Sequence, residues 1–450
     1  MSAVPDEYSA HPKTLWEKLR YSDTWLFVLI LVVVPNALFL LASPWLMIRR
    51  PLGPALYLAA AVLSLVLPRA LAYPLFLIAA VVDGFFIVSA MFNMPFGLAF
   101  ASIGFLKDID VGASLLYSAG IALLAAVAIV SAYLINHYRG RLKQASLIPT
   151  LIAVNALILL DYAMNNYNPG VPATFESALQ QADLTSDRII ENDRNVLLVL
   201  VEGMGAYADP GERALLEDKL RAAAGHRFKL KHGVNAHYGS TTGAMSRELC
   251  GRWGTFTDYL EDKKYDCLPA RLVEGGFSTI SYDGFNGELL SLREWYPHIG
   301  IQTSNFRDDL ERMFPDDTAR HCGSVLQGLC DEDVGRLVHR ELAGAGERRK
   351  FVYWLTLDSH LPYVPVKNGP LACGTSAASI ADRIPCDLTE IWMGVFDTVA
   401  SIAADPNMPP LDIMVVGDHN TPMWSRSAVR HFRPGLIDWY KLEYIAPVDN

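Results

Sequence analysis

The sequence predicts a multi-pass α-helical membrane domain followed by an α/β domain with a mostly parallel sheet. Three observations predict this fold class. Long apolar stretches with few charges are concentrated in the first 165 of the 450 residues. In the remaining residues, short β-branched runs alternate with helical segments, and all six cysteines lie there as well. The chain therefore divides near residue 165 into two parts of different chemistry.

Charge divides the chain at the same place. Hydrophobic residues make up 51% of the sequence and charged residues 19%, fewer than the roughly 25% of typical soluble proteins. The first 165 residues carry a net charge of +2, and the remaining residues carry −12. Because so acidic a surface repels phosphate backbones, the composition argues against a nucleic-acid partner.

Five apolar stretches predict about five transmembrane helices in residues 1–165. Residues 24–48 contain no charge and, at about 1.5 Å per residue, are long enough to cross the bilayer core. The others lie at 52–68, 71–92, 113–135 and 145–160. No small-residue cleavage site follows the first stretch, which we interpret as an anchor. Asp83 lies inside the third stretch, where a carboxylate is either functional or satisfied by helix packing.

The loop cations favour a cytoplasmic N-terminus. Seven fall in segments that would be cytoplasmic and three in segments that would be outside. The cytoplasmic set is Lys13, Lys18, Arg20, Arg69, Arg139, Arg141 and Lys143, and the outside set is Arg49, Arg50 and Lys107. Five crossings would then place everything after residue 165 outside the cytoplasm. We expect a polar linker over 166–193 and an extracytoplasmic domain over 194–450.

The cysteines are consistent with export. An even number confined to the outer part predicts three disulfides, for which 15 pairings are possible. Sequential pairing is favoured because each neighbouring pair closes a short loop. A zinc cluster is disfavoured because the sequence contains no CxxC spacing. The six residues are Cys250, Cys267, Cys322, Cys330, Cys373 and Cys386.

Chemically reactive side chains follow three of the predicted strands. The clearest strands are 195–201, 277–282, 351–357 and 412–416, apolar runs typical of buried parallel strands. Glu202 follows the first, His360 lies just beyond the third, and Asp418 with His419 follows the last. A single acidic residue after a strand is usually a helix N-cap. Because ligands bind beyond the carboxyl ends of open α/β sheets, three such segments together indicate a site.

A carboxylate, an Asp-His pair and a hydroxyl would form a mixed oxygen and nitrogen site suited to Zn²⁺ or Mn²⁺. The hydroxyl could come from the turn at 239–243, GSTTG, which leads into a helix-like segment at 244–249. A hydroxyl at a helix N-terminus lies where anions are favoured, and a metal would activate it as a nucleophile. The turn alone could equally be a helix cap.

The four motifs in this order resemble the alkaline phosphatase/sulfatase superfamily. They are the strand 195–201 with Glu202, the Thr-containing turn, SHLPY at 359–363 and GDH at 417–419. The sequence most resembles two membrane-anchored groups, the lipid A phosphoethanolamine transferases and the lipoteichoic acid synthases. Both have a five-helix membrane domain and an extracytoplasmic sulfatase-like domain, so the resemblance spans most of the chain.

The resemblance implies an activity and a location. The activity is metal-dependent transfer of a phospholipid headgroup phosphate, phosphoethanolamine or glycerol phosphate, through a phospho-Thr intermediate. The partners would be the lipid bilayer, a phospholipid donor and an extracytoplasmic glycan or lipid acceptor. The location would be the bacterial inner membrane, with the catalytic domain in the periplasm or outside. The motifs do not choose between the two headgroups or among acceptors.

The resemblance also implies residue roles. Glu202, Asp418 and His419 match the metal ligands, and a Thr of the turn matches the nucleophile, which is itself a ligand. The spacing in lipoteichoic acid synthases favours Thr241 and that in phosphoethanolamine transferases favours Thr242, and we favour Thr242. His360 matches a histidine beside the transferred phosphate.

Three further matches are weaker. Arg293 resembles an arginine that grips phosphate, although a surface salt bridge is an equal alternative. His431 matches a histidine that binds substrate phosphate or a second zinc, or it is an ordinary surface histidine. Cys322 and Cys330 reproduce a disulfide spacing of the phosphoethanolamine transferases.

Two other functions are compatible with the fold. One is a sulfatase or phosphodiesterase, a hydrolase with water as acceptor. The segment 243–247, GAMSR, lacks the proline of the formylglycine motif, which disfavours a sulfatase. The other is a non-catalytic lipid-binding regulator, which the presence of all four ligand types disfavours.

Overall fold

The computed structural model describes residues 22–91, 95–142, 147–165, 170–344, 346 and 349–445. Four of the loop cations used above, Lys13, Lys18, Arg20 and Lys143, lie outside these ranges. The chain forms two compact units. The membrane unit comprises Met1–Pro44, Ile48–Ile87 and Ala119–Asn165, and the α/β unit comprises Trp45–Met47, Val88–Ser118 and Asn166–Asn450.

Helices account for most of the described residues between 22 and 165. They are α1 (Ser22–Val28), α2 (Val34–Ala42), α3 (Gly53–Val66), α4 (Ala72–Met91), α5 (Phe96–Ala101), α6 (Leu115–Leu142) and α7 (Ile148–Asn165), with a π-helical turn at Leu29–Val33 and 3-10 helices at Arg69–Leu71, Ser102–Asp108 and Val111–Ala113.

Four helices in the described ranges are long and apolar enough to cross a membrane. They are Trp25–Ala42, Arg69–Met91, Leu115–Leu142 and Ile148–Asn165. The second predicted span is a shorter helix, α3, of 14 residues. At about 1.5 Å per residue it measures about 21 Å, less than the roughly 30 Å of a typical hydrocarbon core.

Asp83 belongs to a buried polar group in the membrane unit, which we call the Arg50 cluster. The Arg50 guanidinium donates to Asp83 Oδ2 at 2.8 Å from Nε and to Asn36 Oδ1 at 2.8 Å. The backbone N–H of Arg50 donates to Asp161 Oδ2 at 2.9 Å. The Arg50 guanidinium also lies 3.6 Å from the centre of the Phe39 ring. Asp83 Oδ2 is therefore paired within the helix packing, one of the two alternatives for this residue, whereas Asp83 Oδ1 is buried without a hydrogen-bond partner among the described residues.

The α/β unit contains nine further α-helices and ten strands among its described residues. The helices are α8 (Ala178–Gln181), α9 (Ser186–Asn192), α10 (Pro210–Ala224), α11 (Thr241–Cys250), α12 (Leu268–Glu274), α13 (Leu292–Trp295), α14 (Arg307–Met313), α15 (Asp331–Ala343) and α16 (Arg383–Ala404). The strands are β1 (Asn195–Val201), β2 (Gly205–Tyr207), β3 (Phe228–Ala236), β4 (Ser278–Asp283), β5 (Thr303–Asn305), β6 (His321–Cys322), β7 (Gly328–Leu329), β8 (Lys350–Leu355), β9 (Leu411–Gly417) and β10 (Phe432–Tyr444).

The main sheet has eight strands in the order β2-β10-β9-β1-β8-β4-β5, with β3 also paired to β10. The strands from β9 to β5 are parallel, and β10 runs antiparallel to β9, β3 and β2. The four predicted strands therefore form the parallel centre of the sheet. The prediction of an α/β domain with a mostly parallel sheet is confirmed.

Helices cover both faces of this sheet because alternate strand residues point to opposite sides. Leu197 and Val199 of β1 face a core that α10, α15 and α16 complete. Val196 and Leu198 face a second core, built with α11 and α12. Because β1 is buried on both faces, its sequence is a continuous apolar run. That run is the pattern that predicted the strand.

The expected linker differs from the structure. Its described part, from residue 170, contains α8 and α9, and Ala178, Leu179 and Ile189 are buried in the second core. These apolar side chains tie the segment to the α/β unit, a packing that its polar overall composition concealed.

The disulfide prediction is confirmed. The pairs are Cys250–Cys267, Cys322–Cys330 and Cys373–Cys386, each between neighbours in sequence.

Two segments pack within the α/β unit, one at the end of the first predicted membrane span and one between the third and fourth. Leu46 forms an antiparallel bridge with Ser425, and the N–H of Met47 donates to the carbonyl of Trp424. Farther along, the Phe105 ring packs edge-on against Phe256 at 5.8 Å. The α/β unit therefore includes short pieces of the chain that precede it in sequence.

Candidate metal centre and active site

Glu202 follows β1 directly, and its backbone is held from three sides. Its N–H donates to Thr356 Oγ1 at 3.0 Å. Its carbonyl accepts from Ser359 Oγ at 2.6 Å and from Trp392 Nε1 at 3.1 Å. Because Thr356 and Ser359 follow β8, the ends of two adjacent strands fix where the Glu202 carboxylate points.

Asp418 follows β9, on the other side of β1. Its Oδ1 accepts from the N–H groups of Gly203 at 2.7 Å and His419 at 2.6 Å. Gly203 has φ of +66°, a conformation that favours glycine, and a Cβ there would lie 2.9 Å from Thr421 Oγ1. The turn after Glu202 can therefore approach the Asp418 carboxylate closely.

The hydrogen bonds of His419 assign its tautomer. Nδ1 lies 2.9 Å from the carbonyl oxygen of Asn420, which can only accept, so Nδ1 carries the hydrogen. Nε2 is then the nitrogen that faces the carboxyl groups of the cluster. It lies 3.3 Å from Asp418 Oδ2, 3.7 Å from Glu202 Oε1 and 3.4 Å from Thr241 Oγ1.

These side chains fit a divalent cation. Ligand atoms of Glu202, Asp418 and His419 lie within 4.8 Å of one another, and all three residues are buried. Asp418 Oδ2 is buried without a hydrogen-bond partner among the described residues. Burial, reinforced by the neighbouring Asp418 carboxylate, raises the pKa of Glu202 well above its usual range. A cation would relieve this crowding, and mixed carboxylate and imidazole ligands suit Zn²⁺ or Mn²⁺.

Two other acidic groups in the described ranges have similar spacing, but each includes a cysteine in a disulfide. They are Asp358 beside Cys322–Cys330, and Asp387 with Glu390 beside Cys373. Because metals bind the thiolate, a disulfide sulfur does not complete either group.

The structure brings Thr241, rather than Thr242, to this cluster. Thr241 is the first residue of α11, and its hydroxyl donates to Glu202 Oε2 at 3.2 Å. The Thr242 hydroxyl is buried with no hydrogen-bond partner in the described part of the chain. This contact favours Thr241, the alternative to the preferred Thr242. Successive helical residues point about 100° apart, so only one of the two hydroxyls can face the metal ligands.

His360 lies on the same rim as the cluster. Burial, followed by the charge of neighbouring His419, lowers the pKa of His360 to about 4, so its imidazole is neutral near pH 7. The bend before it is fixed by Asp331, whose carboxylate accepts from the N–H groups of Leu357 at 2.8 Å and Asp358 at 2.9 Å. Asp331 directly follows Cys330 of the second disulfide.

Sequence reasoning missed Arg247, which is fully buried in α11. It donates to the carbonyls of Asp418 and Gly417, both at 3.0 Å, and its Nε donates to Glu248 at 2.5 Å. Glu248 also accepts from the N–H groups of Ala178 and Leu179. Arg247 thus ties the helix of Thr241 to the strand end that carries Asp418. Burying a charged side chain is costly, so a buried Arg247 would have indicated a structural role. The sequence did not show that position 247 is buried.

His237 was also missed. It follows β3, and its Nε2 accepts from the N–H of Asn420 at 3.2 Å. Its ring centre lies 6.4 Å from that of His419, and burial lowers the pKa of His237 well below its usual range. A polar residue after a strand was the available signal, but β3 was not among the predicted strands.

Arg293 and His431 have partners away from the metal ligands. The Arg293 guanidinium donates to Asp308 at 2.7 Å and Asp309 at 3.0 Å, and 40% of its side chain is exposed. This is the surface salt bridge that was the alternative to phosphate binding. His431 Nδ1 lies 2.7 Å from Glu212 Oε1.

The chain is similar to several solved structures. It matches a protein in the alkaline phosphatase superfamily from Vibrio parahaemolyticus, with 15% identity, a TM-score of 0.41 and coverage of 56% of this chain and 60% of that one. The lipoteichoic acid synthase LtaP from Listeria monocytogenes matches with 12% identity, a TM-score of 0.40 and coverage of 57% and 67%. The Streptococcus pyogenes phosphoglycerol transferase GacH, in complex with sn-glycerol-1-phosphate, matches with 12% identity, a TM-score of 0.41 and coverage of 58% and 72%.

These proteins are of the kind that the four motifs resemble. The chain spans less than two thirds of the length of the Vibrio protein. No family model matches the sequence, and no curated protein matches it.

Proposed function

We propose that this protein transfers a phospholipid headgroup phosphate, through a phospho-Thr241 intermediate, to an extracytoplasmic glycan or lipid acceptor. One observation carries the proposal. A threonine hydroxyl at a helix N-terminus points at a buried Glu–Asp–His group whose donor atoms suit a divalent cation. That combination provides a nucleophile, the means to activate it and an environment that favours a phosphate anion.

Glu202, Asp418, His419 and Thr241 would hold the metal, Zn²⁺ or Mn²⁺. When bound, it would lower the pKa of the threonine hydroxyl and neutralise charge on the phosphodiester. The chain prepares this site before any substrate arrives, because Gly203, Thr356, Ser359 and Arg247 fix the backbone of the ligands.

In the first half-reaction, the Thr241 oxygen attacks the phosphorus of the donor lipid. The Thr241 O–P bond forms, and the bond from phosphorus to the diacylglycerol oxygen breaks. Glu202 Oε2, 3.2 Å from the hydroxyl, orients it and is placed to accept its proton. The leaving alkoxide takes up one proton, so the products are phospho-Thr241 and diacylglycerol.

In the second half-reaction, an acceptor hydroxyl attacks the same phosphorus, and the Thr241 O–P bond breaks. The neutral His360 imidazole offers one N–H and one lone pair. It can donate a hydrogen bond to a phosphate oxygen or accept the proton of the incoming hydroxyl. Thr241 regains its proton, and the enzyme returns to its starting state.

We further propose five membrane crossings, with the α/β unit outside the cytoplasm in a bacterial inner membrane. Leu46 and Phe105 both belong to the α/β unit and would share its side of the bilayer. An even number of crossings must separate them. The proposal therefore needs both α4 and α3 to cross between them, although α3 has only 14 residues. Local thinning of the bilayer accommodates so short a span.

The first test is intact mass spectrometry of the full chain in detergent, incubated with phosphatidylethanolamine or phosphatidylglycerol. Wild type is expected to gain the mass of one headgroup phosphate, and the matching lipid names the donor. Thr241→Ala should gain none because it lacks the attacking oxygen. Thr242→Ala is the matched control and should gain the same mass as wild type.

Other outcomes contradict the proposal. An adduct that persists in Thr241→Ala and disappears in Thr242→Ala would exchange the two roles. If neither wild type nor the two variants gain mass although metal is bound, these two lipids are excluded as donors. If the adduct disappears at the same rate with and without the acceptor, water is the acceptor and the protein is a hydrolase.

A further inference from the structure

The turn that carries His360 is held in place by hydrogen bonds from two other parts of the α/β unit. The turn comprises residues 357–360, and the N–H of His360 closes it by donating to the carbonyl of Leu357 at 2.8 Å. Ser359 Oγ donates to the carbonyl of Glu202 at 2.6 Å. The turn therefore connects the imidazole of His360 to the backbone of Glu202.

Asp331, the first residue of α15, binds this turn from a different element. Its carboxylate accepts from the N–H groups of Leu357 at 2.8 Å and Asp358 at 2.9 Å. In return, the N–H of Asp331 donates to Asp358 Oδ2 at 2.9 Å. These reciprocal bonds join segments that lie 26 or 27 residues apart in sequence. We call Asp331 and Asp358 the aspartate clamp.

Asp331 is itself fixed by its neighbours. Cys330, the N-cap residue of α15, forms a disulfide with Cys322. The N–H of Leu329 donates to the carbonyl of Gly284, directly after β4, at 2.7 Å. The clamp therefore attaches the turn to an element that is covalently closed and bonded to the end of a sheet strand.

The clamp is costly to bury, which argues against a role in turn formation alone. Asp331 is 3% exposed, and Asp358 Oδ1 is buried without a hydrogen-bond partner in the described part of the chain. Burial, followed by the charge of Asp358, raises the pKa of Asp331 well above its usual range. A serine or asparagine side chain can close a turn without burying a carboxylate. The cost is explained if the turn must hold its cargo in one position.

We propose that Asp331 is a positioning residue for His360, whose carboxylate holds the turn so that the imidazole meets the transferred phosphate. This inference rests on the proposed function, because it uses the role of His360 in the second half-reaction. Asp331 acts only through the turn and binds neither substrate nor metal. Its loss should therefore affect that half-reaction more than binding of the metal.

The test compares Asp331→Asn with wild type, both as full chains in detergent that carry the headgroup adduct. Glycerol serves as the probe acceptor, and intact mass spectrometry follows loss of the adduct. Asparagine keeps the size of the side chain but replaces one acceptor oxygen by an NH₂ donor, which opposes an N–H of the turn. Because misplacement of a reacting group by about 1 Å can lower a rate about 10²-fold, Asp331→Asn should lose the adduct roughly 10²-fold more slowly. Bound metal should stay at the wild-type level.

Two further variants separate positioning from a general loss of structure. Asp333→Asn is the matched control, because Asp333 is a buried carboxylate in the same turn of α15 that pairs with Arg320 and Arg336. It should lower the unfolding temperature, as Asp331→Asn does, but keep the wild-type rate of adduct loss. In His360→Gln the imidazole is already absent, so adding Asp331→Asn should slow the reaction no further.

A second measurement is independent of activity. In the ¹³C-histidine NMR spectrum of the full chain, His360→Gln identifies the signal of His360 by its disappearance. Asp331→Asn should shift or broaden that signal because the turn is no longer held in one position. Asp333→Asn should leave the signal unchanged.

Several results would overturn the inference. They are a wild-type rate in Asp331→Asn, equal slowing in Asp333→Asn, additive slowing in the double variant, loss of metal in Asp331→Asn, or an unchanged His360 signal. If wild type forms no adduct, the transferase proposal fails and the catalytic part of this inference fails with it. The His360 signal then still decides whether Asp331 positions the imidazole.

Discussion

The molecule contains two buried polar clusters, and they balance charge in opposite ways. In the Arg50 cluster the chain supplies its own cation, whose guanidinium donates to Asp83 and Asn36. In the metal centre, the carboxyl groups of Glu202 and Asp418 face Nε2 of His419. The first cluster contains its own cation, although Asp83 Oδ1 has no hydrogen-bond partner among the described residues. The second is built around donor atoms that call for a cation from outside.

The largest expected effect comes from removing that external cation. Removal of the metal from the full chain with a chelator should slow formation of the headgroup adduct roughly 10³-fold. Without the metal, the threonine hydroxyl is not activated and the negative charge of the phosphate is not neutralised. His419→Gln should act in the same direction and lower the bound metal measured by elemental analysis. Zn²⁺ or Mn²⁺ should restore the chelated wild type. An unchanged rate in metal-free protein would refute the distinction between the two clusters.

Breaking the Arg50 cluster should instead reduce stability. Arg50→Met leaves Asp83 buried without its cation, which is expected to cost about 3–5 kcal/mol of unfolding free energy. The double variant Arg50→Met/Asp83→Asn should recover much of this loss. Thermal unfolding of the full chain in detergent measures it. Metal content should stay at the wild-type level, and a loss of metal in Arg50→Met would contradict the independence of the clusters.

Substitution of Arg247 tests how far metal binding depends on residues that hold the ligands in place without binding the metal. Arg247→Met removes the hydrogen bonds to the Gly417 and Asp418 carbonyls. Loss of such support is expected to weaken metal affinity about 10–100-fold. Competition with a chelating dye measures the affinity. Arg247→Lys can keep one of the bonds and should fall between wild type and Arg247→Met. A wild-type affinity in both variants would restrict Arg247 to folding.

Arg293 is an exposed arginine and serves as the comparison for the buried Arg247. The smallest effect is expected at Arg293. Its ion pairs with Asp308 and Asp309 are open to solvent. Arg293→Ala should change stability by less than about 1 kcal/mol and leave the transfer rate unchanged. A large drop in transfer rate at unchanged stability, in the adduct assay, would return Arg293 to the phosphate-binding role that its motif suggested.

The sequence predicted what depends on periodicity and on strand ends. Continuous apolar runs marked β1, β8 and β9 because these strands are buried on both faces. Their order then placed Glu202, Asp418 and His419 on one rim. The disulfide pairs also followed, since short loops favour neighbours. These features depend on local pattern or on the geometry common to all parallel sheets.

The features that the sequence missed or left open depend on distances that no local pattern contains. Thr241 and Thr242 are adjacent and chemically identical, so only the direction of α11 distinguishes them. Arg293 required knowledge of which acidic residues lie beside it. The polar segment before β1 hid three buried apolar residues of α8 and α9. Arg247 looked like a surface residue of a helix until its burial was known.

The sheet order has a consequence for how the protein is made. Gly203 and Asp418, which hydrogen bond across the metal centre, are 215 residues apart in sequence. β1 lies between two strands that are both synthesised long after it, β8 and β9. A nascent chain therefore displays β1 without either neighbour until β8 has emerged, and without Asp418 and His419 until β9 has emerged. If the proposed function holds, an incomplete chain that ends before Asp418 would lack two of the four residues that would hold the metal, and it would be inactive.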